Sequence, residues 1–298
     1  MTAPLIDGLK ALAPDYDAFL LDQFGVLHDG SDLYPGVVDC LEALKKTGKR
    51  VIVLSNSGTR REANSARLAR LGIPAQLYDD FVTSGEVTRA YLDAAPAELR
   101  PAEAGAAAED RTLRCLPLGG SAERAILDGL TVTLAASVEE ADFLLVASFG
   151  EDPPPLAAFE ATLTRARRRG LTLVCANPDV RGVTARGLVD APGALAAQYG
   201  AAGGKVVYIG KPHPLIYRYV LRNLAPIPPA RVLAVGDSLA HDIAGAQGVG
   251  IASALVIEGI HRDELGKPGN GSAFESRLAA LQRKAQAQPD YLLRQLAW

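Results

Sequence analysis

Short, almost wholly apolar runs alternate with longer stretches of helical periodicity along most of this chain, and that alternation narrows the fold more than any other feature. A parallel strand covered on both faces reads as a continuous apolar run, and returning to the next parallel strand takes a crossover helix. Phe19–Asp22, Val51–Ser55, Val206–Ile209, Val232–Val235 and Ala254–Ile257 are runs of this kind. Between them Val37, Val38, Leu41 and Leu44 recur at helical spacing, with Gly48 near the expected end. Asp242–Ala246 is small enough for a helix lying close against a sheet. The expected core is therefore an α/β, Rossmann-like, doubly wound parallel sheet.

A second pattern interrupts the first. After Phe81–Gly85 and a helix to about Leu92, an Ala/Glu/Pro-rich stretch from Asp93 to Ala108 reads as a surface connection. Strand candidates follow at Thr112–Leu116, Leu130–Leu134, Phe143–Ala147 and Leu171–Cys175, with a helix near Ala157–Arg169. Asn177-Pro178-Asp179 is expected to bring the chain back. The expected organisation is thus residues 1–83 as the first part of the core, 84–177 as an inserted α/β cap, and 178–298 as the second part. A chain of 298 residues is comfortable as two such units. Two linkers crossing together suit a hinged lid over an active site at the carboxyl ends of the core strands.

Composition removes several function classes. A net charge of −3 gives no case for nucleic acid or an anionic membrane surface. Cys40, Cys115 and Cys175 lack CxxC spacing and, with four histidines, are too few for a zinc site or disulfide framework, so they read as small buried hydrophobes. No apolar stretch approaches a membrane span, and the first residues have neither a basic start nor an apolar signal core. The reading is a cytoplasmic protein with a small-molecule partner.

Asp22 is where the chemistry is expected. It stands at the end of an apolar run and just before Gly25, and open α/β sheets place their sites at the carboxyl ends of strands. As a nucleophile toward phosphorus its negative charge would repel a phosphate dianion, so cations must lie nearby. Lys211, on the turn Gly210-Lys211-Pro212, can bridge the carboxylate and a phosphoryl oxygen. Magnesium needs only a few oxygen ligands, which Asp22, the Phe24 carbonyl and Asp237 would supply, with Asp242 in support. Ser55, Asn56 and Ser57 end a strand in a loop that offers a hydroxyl and backbone N–H groups to phosphate. Each has a plainer reading alone: helix capping for the acids and the Ser/Asn loop, a surface turn for the lysine. His28, near Gly25, is a candidate substitute proton donor; His213 and His241 lie near the site; His261 is expected to be exposed.

Taken in order, Asp22, Ser55, Lys211 and Asp237…Asp242 resemble the motifs of the haloacid dehalogenase superfamily. Leu27-His28-Asp29-Gly30, Tyr34-Pro35-Gly36, Asn177-Pro178-Asp179 and Pro289-Asp290-Tyr291 are similar to its class II group with a large α/β cap, which includes pyridoxal-phosphate, nitrophenyl-phosphate and sugar-phosphate phosphatases. The resemblance implies a magnesium-dependent phosphatase of a small phosphorylated metabolite. Asp22 would be nucleophile and metal ligand, Ser55 the phosphate-binding hydroxyl, and Lys211 the charge neutraliser. Asp237 would be the metal carboxylate. The chain departs from the pattern at Phe24, where the phosphatases carry the Asp that protonates the leaving alcohol. Two alternatives therefore stay open: a non-catalytic protein that binds a phosphorylated ligand, and a dehalogenase-like hydrolase, which needs no leaving-group acid.

Overall fold

The structure is a computed structural model and describes residues 3–94, 96–101, 111–184, 187–266 and 272–298. Half of the stretch expected as a surface connection, Asp93–Ala108, falls outside them, at residues 95 and 102–108. The chain divides into two compact units, one of residues 1–55, 62–82 and 211–298, the other of residues 56–61 and 83–210.

The first unit is built on a seven-stranded sheet of order β1-β14-β13-β12-β2-β3-β4. Its strands are β1 (Leu5–Ile6), β2 (Ala18–Leu21), β3 (Arg50–Ser55), β4 (Asp80–Thr83), β12 (Val232–Gly236), β13 (Ala252–Val256) and β14 (Tyr291–Leu293). β2 and β12 are buried throughout, as their unbroken apolar sequences require. β2 pairs in parallel with β12 and with β3, Leu21 lying opposite Val235 on one side and Val53 on the other. From β2 the chain winds outward through β3, and from β12 it winds the opposite way through β13 and β14. The sheet therefore reverses its winding between β2 and β12, the place where such sheets hold ligands.

Helices α1 (Val37–Lys46), α2 (Arg61–Leu71), α7 (Pro214–Asn223), α8 (Ala244–Val249), α9 (Arg262–Leu265) and α10 (Ser272–Ala285) accompany this sheet. In α1, Val37, Cys40, Leu41 and Leu44 are buried at helical spacing, and Lys45 and Lys46 sit in the last turn, where cations suit the carbonyl end. Gly48, at φ +73°, lets the chain leave that helix. The helix expected over Asp242–Ala246 begins instead as a π-helical turn over Leu239–Ile243 that runs into α8.

The second unit has its own five-stranded sheet, order β11-β8-β7-β5-β6, with parallel pairings. Its strands are β5 (Leu113–Pro117), β6 (Val132–Leu134), β7 (Phe143–Val146), β8 (Thr172–Cys175) and β11 (Lys205–Tyr208). A two-stranded antiparallel hairpin, β9 (Arg181–Thr184) and β10 (Gly187–Asp190), stands apart from it. Helices α3 (Ser84–Asp93), α4 (Ser121–Leu127), α5 (Glu160–Arg168) and α6 (Pro192–Ala201) belong to this unit.

β11 corrects the reading of Val206–Ile209 as a core strand, since it pairs with β8 and lies at the edge of the second sheet. The chain from 178 to 210 goes with it, so the second unit does not end near Asn177. An apolar strand carries no mark of which sheet it joins.

Candidate active site

Strand order brings Asp22, Ser55 and Asp237 to adjacent strand ends, and Lys211 and Asp242 complete the group. The Asp22 N–H donates to Val235 O at 2.9 Å, which holds the residue beside β12. Lys211 Nζ donates to Asp22 Oδ1 at 2.6 Å and to Asp242 Oδ1 at 2.7 Å, with its own side chain only 4% exposed. One carboxylate oxygen from each of Asp22, Asp237 and Asp242 lies within 4.8 Å of the others.

Asp237 is fixed by backbone on both sides. Its Oδ2 accepts the Ile260 N–H at 2.7 Å. A methyl at Gly25 would overlap that oxygen and one at Gly259 would overlap Asp237 Cβ, while Gly25 also needs its φ of +76°. Asp242 Oδ2 accepts the Ser238 N–H at 3.1 Å, and the Tyr217 hydroxyl donates to the Asp242 carbonyl at 3.1 Å. Both carboxylate oxygens of Asp242 are thus already held, which suits a supporting position.

Three buried or half-buried carboxylates against one ammonium leave two negative charges when all are ionised. Burial pushes Asp22 up to about 7, against the pull of Lys211 and with a further push from Asp242. Burial, then Asp22 and Asp242, also raises Asp237 well above the usual carboxylate range. Burial disfavours the Lys211 charge, but Asp22 and Asp242 outweigh it and hold the ammonium above its ordinary range. An all-oxygen donor set with that excess of negative charge fits a hard divalent cation.

Ser55 ends β3 and is 3% exposed; the Gln23 side chain donates to its hydroxyl oxygen at 2.6 Å. Asn56 and Ser57 follow directly but belong to the second unit. There Asn56 Nδ2 donates to Asp179 Oδ1 at 2.7 Å, and the Ser57 and Thr59 hydroxyls lie 2.8 Å apart.

Phe24 leaves 43% of its surface exposed, with the Arg67 guanidinium 4.9 Å over its ring and the His28 ring edge-on at 4.6 Å between centroids. His28 does not suit the part of a substitute acid. It is fully buried, its Nδ1 accepts the Gly30 N–H at 3.0 Å, and burial with the Arg67 charge lowers it to about 4. His261 is not exposed as expected, with a side chain 17% exposed and Nε2 accepting the Leu239 N–H at 3.3 Å. All three cysteines are buried thiols.

Several residues that shape this site carried no signal. Ile260 acts through its backbone, Gln23 through strand register, and Arg67 by stacking from a helix distant in sequence. Gly25 was visible as a turn, though not as the floor under Asp237.

Comparison with known proteins agrees with this geometry. Models of haloacid dehalogenase-like hydrolases match residues 19–131 and 121–250, and a HAD-hydrolase-like model matches residues 208–298. The chain is 28% identical over 260 residues to chronophin from Mus musculus, covering 81% of this chain and 80% of that protein. It is 28% identical over 258 residues to dihydroxyacetone phosphatase from Corynebacterium glutamicum (strain R), covering 83% and 82%. Its fold superposes on a haloacid dehalogenase-like hydrolase from Brucella suis 1330 with a TM-score of 0.77 and 28% identity, over 98% of this chain and 100% of that one. A p-nitrophenyl phosphatase from Archaeoglobus fulgidus shares the fold at a TM-score of 0.72 and 22% identity, over 95% and 97% of the two chains. The chain belongs to the haloacid dehalogenase superfamily of hydrolases. Among the described residues no helix is long and apolar enough to cross a membrane.

Proposed function

We propose that this protein is a magnesium-dependent phosphatase of a small phosphorylated metabolite, acting through an aspartyl-phosphate on Asp22. The observation that carries the reading is Lys211, buried and bonded at once to Asp22 and Asp242 beside the Asp237 carboxylate. The names of two relatives, dihydroxyacetone phosphatase and acid sugar phosphatase, support the same chemistry. In this reading the second unit is the cap that supplies substrate contacts, with Asn56 and Ser57 adding phosphate contacts.

Asp22 attacks phosphorus, an Asp22 oxygen–phosphorus bond forms, and the bond to the leaving oxygen breaks. Water then attacks the same phosphorus, releasing inorganic phosphate and the free carboxylate. Lys211 holds one Asp22 oxygen still and offsets charge on the phosphoryl group, while Ser55 gives it a hydroxyl. Asp22, Asp237 and the Phe24 carbonyl would hold magnesium, with Asp242 supporting them. Bound there, the ion supplies charge neutralisation between carboxylate and phosphate.

The test is release of p-nitrophenol from p-nitrophenyl phosphate with magnesium. Turnover should vanish in Asp22→Asn and on chelation; turnover undiminished in Asp22→Asn would refute the covalent route. Phe24, which has no proton to give, favours a second reading, a protein that binds a phosphorylated ligand without turnover. Phosphate affinity with no hydrolysis of aryl or acyl phosphates would select it.

A further inference from the structure

Gln23 stands between the nucleophile and Phe24 and has no part in the chemistry so far. It is 3% exposed, its Nε2 donates to Ser55 Oγ at 2.6 Å, and its Oε1 is buried without a hydrogen-bond partner among the described residues. An unpaired buried carbonyl is a burden that an apolar side chain at this strand end would not carry.

The contact follows from register. Leu21 of β2 lies opposite Val53 of β3, and continuing the pairing brings Gln23 opposite Ser55 at the carboxyl edge of the sheet. A serine hydroxyl has one hydrogen and two lone pairs. With Gln23 donating, one lone pair is filled and the hydroxyl hydrogen must point away from the amide. With the amide turned the other way, Ser55 would donate to Oε1 and its hydrogen would be spent inside the protein. The two arrangements predict opposite effects on phosphate.

We propose that Gln23 is a positioning residue for Ser55: its amide holds the Ser55 oxygen as an acceptor, so that the hydroxyl hydrogen is directed to an oxygen of the substrate's phosphoryl group. The proposal rests on the phosphatase reading and adds to it the residue that sets the donor direction of the phosphate hydroxyl.

The test is a double-mutant cycle on Gln23→Met and Ser55→Ala, reading inorganic phosphate affinity by calorimetry and KM and kcat on p-nitrophenyl phosphate with magnesium. Gln23→Met should weaken phosphate binding and raise KM by about tenfold, with kcat changed by less than about twofold. On the Ser55→Ala background the same change should have almost no further effect. Gln23→Glu, which when ionised accepts but cannot donate, should bind phosphate more weakly than Gln23→Met at a pH high enough to ionise a buried carboxyl. That difference should shrink to the effect of the added charge when Ser55 is alanine. The melting temperature of Gln23→Met should not fall, because the unpaired carbonyl leaves with the amide.

Independent, multiplying effects of the two substitutions would overturn the proposal, and so would Gln23→Met binding phosphate as tightly as the parent. A parent protein that binds no phosphate would overturn the phosphatase reading and this proposal together. A parent that binds phosphate but gives an additive cycle would overturn this proposal alone.

Discussion

On the phosphatase reading, Phe24 stands where a proton donor would serve a poor leaving group, so the rate should depend steeply on what leaves. Aryl and acyl phosphates should outpace alkyl phosphates by more than binding explains, in matched steady-state assays. Phe24→Asp should raise alkyl turnover most, with a ceiling of about 10²–10⁴ from a positioned acid–base group. The Arg67 guanidinium, 4.9 Å over the present ring, would hold the new carboxylate ionised and keep the gain below that ceiling. Adding Arg67→Met should recover part of it. At the other end of the constellation, Lys211→Met should cut turnover by about 10²–10³ on every substrate, because it removes the cation between Asp22 and Asp242. Asp22, Ser55, Lys211 and Asp237 were legible because their side chain types and order mark them. Ile260 was not, because a backbone N–H donor has no signature in sequence.

Elements were legible where they were long and apolar, and obscure where they were short or where partnership decides. β2, β3, β12 and β13 read directly from their runs. β1 and β14 are too short to show a period, and β9 and β10 have no long apolar run to mark them as strands. β11 was visible as a strand but assigned to the wrong sheet. Its half-exposed pattern is that of an edge, which apolar sequence alone conceals. Helix α4 carries a further hidden feature. Its Glu123 is fully buried, and Oε1 accepts the Ala147 and Ser148 N–H groups at 2.6 and 3.1 Å beyond the end of β7. Burial raises its carboxyl above the usual range despite those bonds. A raised carboxyl contributes stability that is present below the unfolded value, about 4.3, and lost as pH rises through the folded one. The melting temperature of Glu123→Gln relative to the parent should therefore climb as pH rises; a difference that stays flat with pH would contradict this. Glu123→Leu, which strands both N–H groups, should destabilise by about 1–3 kcal/mol for each.

For the molecule as a whole, the unbalanced acidic cluster should make magnesium and pH act on stability together if the ion binds there as proposed. Asp22 is pushed up to about 7, so without metal its contribution is intact below about 3.9 and lost as pH rises through about 7. The metal-free melting temperature should fall over that range, and magnesium should raise it more at pH 8 than at pH 5. Asp22→Asn should weaken both trends in a thermal-shift series, whereas a magnesium response unchanged by that substitution would place the ion elsewhere. The boundary between the units has a different kind of consequence. The long excursion into the second sheet ends at Gly210, one residue before Lys211, and the short one begins at Asn56, one residue after Ser55. Every carboxylate of the acidic cluster lies outside both excursions. Recombination that replaced residues 83–210 would exchange an entire sheet and still leave Asp22, Ser55, Lys211, Asp237 and Asp242 to the recipient gene. On the phosphatase reading proposed above, a lineage built this way would change its substrate contacts by exchanging one segment, and its chemistry by point substitutions at the strand ends.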